Sequence, residues 1–228
     1  MQTTLTENAD TMINKLSSPA RDIRYLLEKE YSKTSSIRFV GDHYRLEKSE
    51  RHILTRVIVP PKTAVARNRK RLTCKEVSGK KILADGYNVL IAIESMLGGH
   101  TLWLCDDGFV RDTRGVFRSH NNADITIEAV KQMCSILSKC NVPFVKVLLD
   151  SQMSQSGELA ALIRQELALL SLQGEVSTSE HADFDLKHAD PEYVVATADG
   201  VIIDAVEKVI DLPAAVLEEK GSRAEIII

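Results

Sequence analysis

The stretch Lys81-Ile82-Leu83-Ala84-Asp85-Gly86-Tyr87-Asn88 decides the fold of this 228-residue chain. A short apolar run bounded by an aspartate and a glycine predicts a buried strand that stops at Asp85 and turns sharply. The pattern recurs: Val145-Lys146-Val147-Leu148-Leu149 runs into Asp150-Ser151, and Tyr193-Val194-Val195-Ala196-Thr197-Ala198 runs into Asp199-Gly200. Helical patterns lie between these runs. One spans residues 89–97 and is closed by Gly98-Gly99; a second, 123–140, carries Ile127, Val130, Met133, Cys134 and Leu137 on one face; a third, 156–173, is rich in Leu and Ala and ends at Gly174. Such alternation predicts an α/β fold with a mostly parallel central sheet covered on both faces.

Ligands of open α/β sheets bind outside the carboxyl ends of the strands. Carboxylates crowded there repel one another unless cations or protons compensate. Asp85, Asp150 and Asp199 at three strand ends therefore predict an acidic crevice suited to a divalent metal ion, with the Asn88 amide three residues on to orient water or phosphate. Asp183 and Asp185, in Glu180-His181-Ala182-Asp183-Phe184-Asp185, and Asp204, five residues after Asp199, are further candidates. Residues 182–189 are expected to form a helical turn or two. Residues 200–210 or 213–220 supply a further helix, and 224–228 a closing strand.

Outward from the sheet, residues 1–61 read as a small helical N-terminal module. Ser18-Pro19 is a plausible helix start, Ile23, Leu26 and Leu27 give an apolar stripe, Ile37-Arg38-Phe39-Val40 reads as a short strand, and Ser49 to Val59 forms a helix stopped by Pro60-Pro61. Residues 62–81 read as a basic linker, in which Lys62, Arg67, Arg69, Lys70 and Arg71 cluster almost without acids. Such a cluster suits phosphate backbones. Residues 82–228 form the α/β domain. Within it, residues 102–120 read as a hairpin, with strands at 101–105 and 116–119 around Asp106-Asp107-Gly108. The hairpin charges Asp106, Asp107, Arg111, Asp112, Arg114 and Arg118 are expected in solvent, and Trp103 and Phe109 in its core.

The net charge is −3, but its distribution is uneven: residues 1–81 hold 18 Lys+Arg against 9 Asp+Glu, and residues 82–228 hold 11 against 23. One reading is a division of labour in which the basic part grips polyanions and the acidic part holds cations. The other is a charge match that docks the two parts. No apolar stretch approaches the roughly 20 residues that span a bilayer, and Met1-Gln2-Thr3-Thr4 opens no signal pattern, so a cytoplasmic protein is expected. Cys74, Cys105, Cys134 and Cys140 lack the spacing of zinc or redox motifs and read as free, mostly buried thiols. His100, His120, His181 and His188 lack ligand spacing too. Phosphate-loop and dinucleotide fingerprints are absent, so no nucleotide cofactor is expected.

The order Asp-Gly-x-Asn at the first strand, a short acid-bearing helix, then an apolar strand and Thr-x-Asp-Gly resembles the PIN-like nuclease superfamily, especially its NYN-type branch. The resemblance covers residues 81–228. Its most specific piece is Ala182-Asp183-Phe184-Asp185-Leu186-Lys187-His188 leading into Val194-Val195-Ala196-Thr197-Ala198-Asp199. The whole chain is also similar to an uncharacterised, mainly archaeal family with a small helical N-terminal module fused to a PIN-like domain. The resemblance implies a PIN-like three-layer fold and hydrolysis of RNA phosphodiester bonds with Mg²⁺ or Mn²⁺. It implies metal-site or catalytic roles for Asp85, Asp183 and Asp199, with Asp150 a neighbour and Asp185 and Asp204 further ligands. Asn88, Ser151 and the basic residues would contact single-stranded or structured RNA, and pairing of such domains implies a homodimer. Many such nucleases carry one more acid after the first strand, for which Glu94, Asp124 and Glu128 are the candidates. Two other readings stay open. One is a PIN-like RNA-binding scaffold with little or no catalysis. The other is a phosphotransfer enzyme with Asp85 as nucleophile, which expects a second aspartate where Tyr87 stands.

Overall fold

The structure, a computed structural model, describes residues 2–113 and 123–227. In chain order the elements are α1 (Gln2–Glu28), α2 (Lys33–His43), α3 (Lys48–Val57), α4 (Pro61–Asn68), β1 (Arg71–Leu72), β2 (Lys81–Asp85), α5 (Gly86–Leu97), β3 (Leu102–Leu104) and β4 (Val110–Asp112). They continue with α6 (Ala123–Lys139), β5 (Val145–Asp150), α7 (Ser156–Leu169), β6 (Gly174–Ser179), α8 (Ala182–Lys187), β7 (Tyr193–Ala196), α9 (Gly200–Ala205), β8 (Val209–Ile210) and α10 (Leu212–Glu219). Two compact units result. The first comprises Met1–Arg69, Gly99–Gly115 and Arg223–Ile228; the second comprises Lys70–Gly98 and Val116–Ser222.

The second unit is a three-layer α/β fold around a six-stranded sheet ordered β1-β8-β7-β2-β5-β6, and each of its pairings among the described residues is parallel. Ile82, Ala84, Val145, Val147, Val194 and Ala196 from the three central strands pack with Leu90 and Ile93 of α5, Met133 and Leu137 of α6, Ile163 of α7 and Val216 of α10. From β2 the chain passes to β5 and β6 on one side, then returns to β7 on the other side of β2. The sheet therefore has its topological switch point between the ends of β2 and β7. Gly86 follows β2 where a side chain would crowd its neighbours: a Cβ there would lie 2.5 Å from Leu149 Cδ2 and 3.1 Å from the Leu148 carbonyl oxygen.

The first unit differs from its sequence reading in several ways. Leu16, Ala20, Ile23 and Leu27 are all buried at helical spacing, so α1 runs through Pro19 instead of starting there. Ile37–Val40 lies inside α2, with Ser36, Ile37, Val40 and Gly41 on its buried face. Residues 62–81 are not a linker: Pro61 opens α4, Ala64 is buried, and Arg71–Leu72 pairs with Val209–Ile210 as an edge strand. The expected α/β domain also gives up residues 99–115 and 223–228, which belong to the first unit. There Trp103 and Ile227 pack with Leu16, Ile23 and Leu54, and Glu225 bridges to Trp103. The hairpin closes earlier than expected, with Val110–Asp112 as its second strand; residues 116–119 lie outside the described residues.

The expectation of free thiols holds for Cys105 and Cys134, both buried. It fails for Cys74 and Cys140, which form a disulfide with Cα atoms 4.8 Å apart. Their separation of 66 residues leaves no local signal, and folding alone brings them within bridging range.

Candidate functional site

Asp85 ends β2 and caps α5, its Oδ1 accepting from the Asn88 backbone N–H at 3.3 Å. Its Oδ2 accepts from the Thr197 hydroxyl at 3.0 Å. The same hydroxyl oxygen accepts from the Asp199 N–H at 3.1 Å, so Thr197 ties the ends of β2 and β7 together. Asp199 in turn caps α9, its Oδ1 accepting from Val201 N at 2.7 Å and Ile202 N at 3.4 Å. Short polar side chains at these positions satisfy amides that the first helical turn leaves open. The Asn88 side chain completes the clasp, its Oδ1 accepting from Ala198 N at 2.8 Å. The Asn88 amide oxygen therefore holds the loop after β7.

α8 packs against the ends of β2, β5 and β6 and against α9, and it carries Asp183 and Asp185 in its first turn. Asp183 is exposed, and its charge, with that of Asp199, reaches Asp85. Burial is the largest influence on Asp85 and pushes its carboxyl up to about 7; the bonds from Thr197 and Asn88 pull it down, and the charges of Asp199 and Asp183 push it further up. Three acids from three separate elements are thus electrostatically coupled at the switch point. Asp150 ends β5, binds the Gln152 N–H at 2.8 Å, and its charge reaches the buried Tyr87 on α5.

Other candidates are placed elsewhere. Asp185 accepts from the Ser179 hydroxyl at 2.6 Å, securing α8 to the end of β6. Asp204 is exposed near the end of α9 opposite Asp199, and five residues of helix separate them by about 7 Å along its axis. The Ser151 N–H extends the β5–β6 ladder by donating to the Ser179 carbonyl. Of the possible fourth acids, Glu94 accepts from Thr126 and Glu128 from Gln132. Among the described residues no three His, Cys, Asp or Glu side chains form a ready-made metal-ligand group.

The basic residues also separate on inspection. Lys62 pairs with Glu30 at 2.7 Å, Arg67 pairs with the fully buried Asp107 at 3.0 Å, and Lys70 donates to the carbonyls of Ile203 and Asp204 at the end of α9. Arg69 and Arg71 are exposed. The hairpin charges correct the expectation of a solvated loop: Asp107 is 0% and Arg111 4% exposed, joined by two bonds of 2.7 and 2.8 Å. Trp103 and Phe109 are buried, as expected; Arg114, Arg118 and His120 lie outside the described residues. Thr197, 1% exposed, is the functional residue the sequence reading missed. Its only signal is a hydroxyl two residues before the aspartate of a Thr-x-Asp-Gly turn.

A mostly parallel six-stranded sheet covered by helices, with aspartates at the ends of β2 and of the loop after β7, defines an α/β protein. The chain belongs to the family described as Domain of unknown function (DUF5616), whose match spans residues 74–215, and residues 15–70 match Protein of unknown function (DUF434). It is 36% identical over 199 residues to "Uncharacterized protein MJ0935" of Methanocaldococcus jannaschii, a match covering 86% of this chain and 94% of that protein. No solved structure matches the chain. Among the described residues no helix is long and apolar enough to cross a membrane.

Proposed function

We propose that this protein is a metal-dependent ribonuclease of PIN-like type that hydrolyses RNA phosphodiester bonds in the cytoplasm. The observation that carries the reading is that Asp199 and Asp183 lie near enough to Asp85 for their charges to push its carboxyl up. Oxygen-only donors suit Mg²⁺ or Mn²⁺, and Mg²⁺ in particular keeps several waters while binding one or two carboxylates. A ready-made three-ligand cage is therefore not required. Asp85, Asp183 and Asp199 would hold the ion, with Asp150 beside them; when bound, it would activate water and stabilise charge on the phosphate.

The chain's own groups do the rest. Thr197 and the Asn88 N–H fix the Asp85 carboxyl, and each of its oxygens accepts one of these bonds, which leaves lone pairs for a cation. With its pKa near 7, the Asp85 carboxyl would give up its proton to hold a cation near neutral pH. The exposed Arg69 and Arg71 would contact the RNA backbone. Pairing into a homodimer rests on the resemblance alone.

The test is cleavage of a labelled single-stranded RNA by the full chain with Mg²⁺, Mn²⁺ or EDTA, alongside Asp85→Asn and Asp199→Asn. Cleavage should need the ion and fall by at least about a hundredfold in either variant, as loss of a charged group at a reacting centre implies. Undiminished cleavage in EDTA or in both variants refutes the proposal. RNA binding without cleavage under every condition selects the scaffold reading instead.

A further inference from the structure

Two aromatic side chains of the first unit stand largely in solvent: Tyr25 of α1 is 59% and Phe39 of α2 68% exposed. Neither lies on the buried stripe of its helix, which is Leu16, Ala20, Ile23 and Leu27 on α1 and Ser36, Ile37, Val40 and Gly41 on α2, so the core does not account for them. Instead they line one hollow of about 170 Å³ between α1 and α2, together with Leu26, Val40, Asp22 and His43. Asp22 is steadied there by the Tyr44 hydroxyl, which donates to its Oδ2 at 2.8 Å, and its Oδ1 has no hydrogen-bond partner among the described residues. Arg21 and Lys29 stand one turn before and one turn after Tyr25 on the same row of α1, and Lys29 Nζ lies 5.6 Å from the centre of the Tyr25 ring. Both cations are exposed, and neither is ion-paired among the described residues. Of the nearby acids, Asp42 is paired with Arg51, and Glu28 lines a different hollow with Tyr31 and Pro60.

This lining sets three conditions on a guest. Two exposed aromatic faces, one from each helix, reward a flat ring. The open carboxylate oxygen of Asp22 asks for an N–H donor, because covering it with a purely apolar group costs its hydration. Cations at the mouth attract negative charge and oppose a guest that carries lysine or arginine. An unpaired nucleobase meets all three: its faces stack, its edge presents an N–H, and its phosphates stay outside the hollow. A paired base does not, because its faces and edge are already taken. We propose that the groove between α1 and α2 holds an unpaired nucleobase of single-stranded RNA, stacked on Tyr25 and Phe39, with its edge on Asp22 and its flanking phosphates on Arg21 and Lys29. The choice of RNA rests on the reading above, but the groove is decided by binding alone, without metal or cleavage.

The probe is a fluorescently labelled single-stranded RNA of about twelve nucleotides, titrated with the full chain in EDTA and read by anisotropy. Tyr25→Ala and Phe39→Ala should each weaken binding about tenfold, the loss of one base–aromatic stack. Tyr25→Phe and Phe39→Tyr keep the rings and should bind as wild type does. Both positions are exposed, so the melting temperature should not move in any of the four. An RNA of the same length without bases should bind the wild type and the alanine variants alike, and Lys29→Ala should lessen the slope of log affinity against log salt by about 0.7, one phosphate contact. Leu169→Ala, at an exposed apolar position of α7, should change nothing. RNA that fails to bind the wild type overturns the proposal, and so do alanine variants that bind as tightly as wild type, an outcome that would leave the groove to a protein partner. Ring-dependent binding without cleavage in Mg²⁺ or Mn²⁺ would refute the ribonuclease reading and leave this one standing.

Discussion

Replacing Asp85 by asparagine should change the sign of its effect with pH, destabilising the protein in acid and stabilising it increasingly as the pH rises from about 4 towards 7. The folded carboxyl titrates near 7, against an ordinary 3.8, so the native state binds this proton more tightly than the unfolded chain does. Below the lower value both states are protonated and the group contributes nothing. Between the two the unfolded state gains stability from ionising while the native state cannot, so wild-type stability falls as pH rises; above about 7 the loss is constant. The gap corresponds to ~4 kcal/mol at full burial. Because Asp85 retains some exposed surface, solvent screening lowers this to about 2–4 kcal/mol. Asparagine keeps an acceptor for the Asn88 N–H, and its disturbed contact with Thr197 costs about 1 kcal/mol at every pH. Urea unfolding at intervals from pH 5 to 8 should therefore show the variant gaining steadily on wild type. Parallel curves over that range would refute the claim that burial and neighbouring charge raise this carboxyl. At pH 8, Mn²⁺ should stabilise the wild type more than the variant, because the ionised carboxylate is the stronger ligand.

Gly86→Ala tests the packing of α5 on β5. Alanine in a helix ordinarily gains about 1 kcal/mol over glycine, but a Cβ 2.5 Å from Leu149 Cδ2 should reverse the sign and cost ~1–3 kcal/mol, measurable by chemical denaturation; a stabilised variant would show that the contact relaxes freely. Cys74→Ser should cost about 4 kcal/mol, the loop-closure value for a bridge of this span. Reductant should bring the wild type to the variant's level without affecting the variant, and insensitivity of both to reductant would remove the bridge.

The strands and their terminal aspartates were legible because the code for them is local. Lys81–Asp85 and Val145–Asp150 are apolar runs of strand length ended by turn residues, and a parallel sheet needs little more. Asp183 and Asp185 stood out as candidates by their spacing, but nothing local says that α8 packs on β2, β5 and β6. The errors share one origin. Ile37–Val40 is β-branched enough to suggest a strand, but the burial of Ser36, Ile37, Val40 and Gly41 follows a helical face visible only over a longer window. Asp107 and Arg111 look like loop charges, but they pair with each other out of solvent, and Arg67, forty residues earlier, joins the same carboxylate. The Cys74–Cys140 pairing and the Thr197 bond to Asp85 likewise depend on partners far along the chain.

The make-up of the N-terminal unit bears on the order in which a ribosome releases its parts. Its core closes with Ile227, 1% exposed, and Arg24 of α1 donates to the Ile227 carbonyl at 2.8 Å. Domains usually fold as they emerge, the first made being the first finished. Here the early helices must wait, with Leu16, Ile23 and Leu54 unsheltered, until the hairpin and then Ile227 have been synthesised. A truncation after residue 70 would strip Trp103, Cys105 and Ile227 from that core, leaving a fragment prone to aggregate.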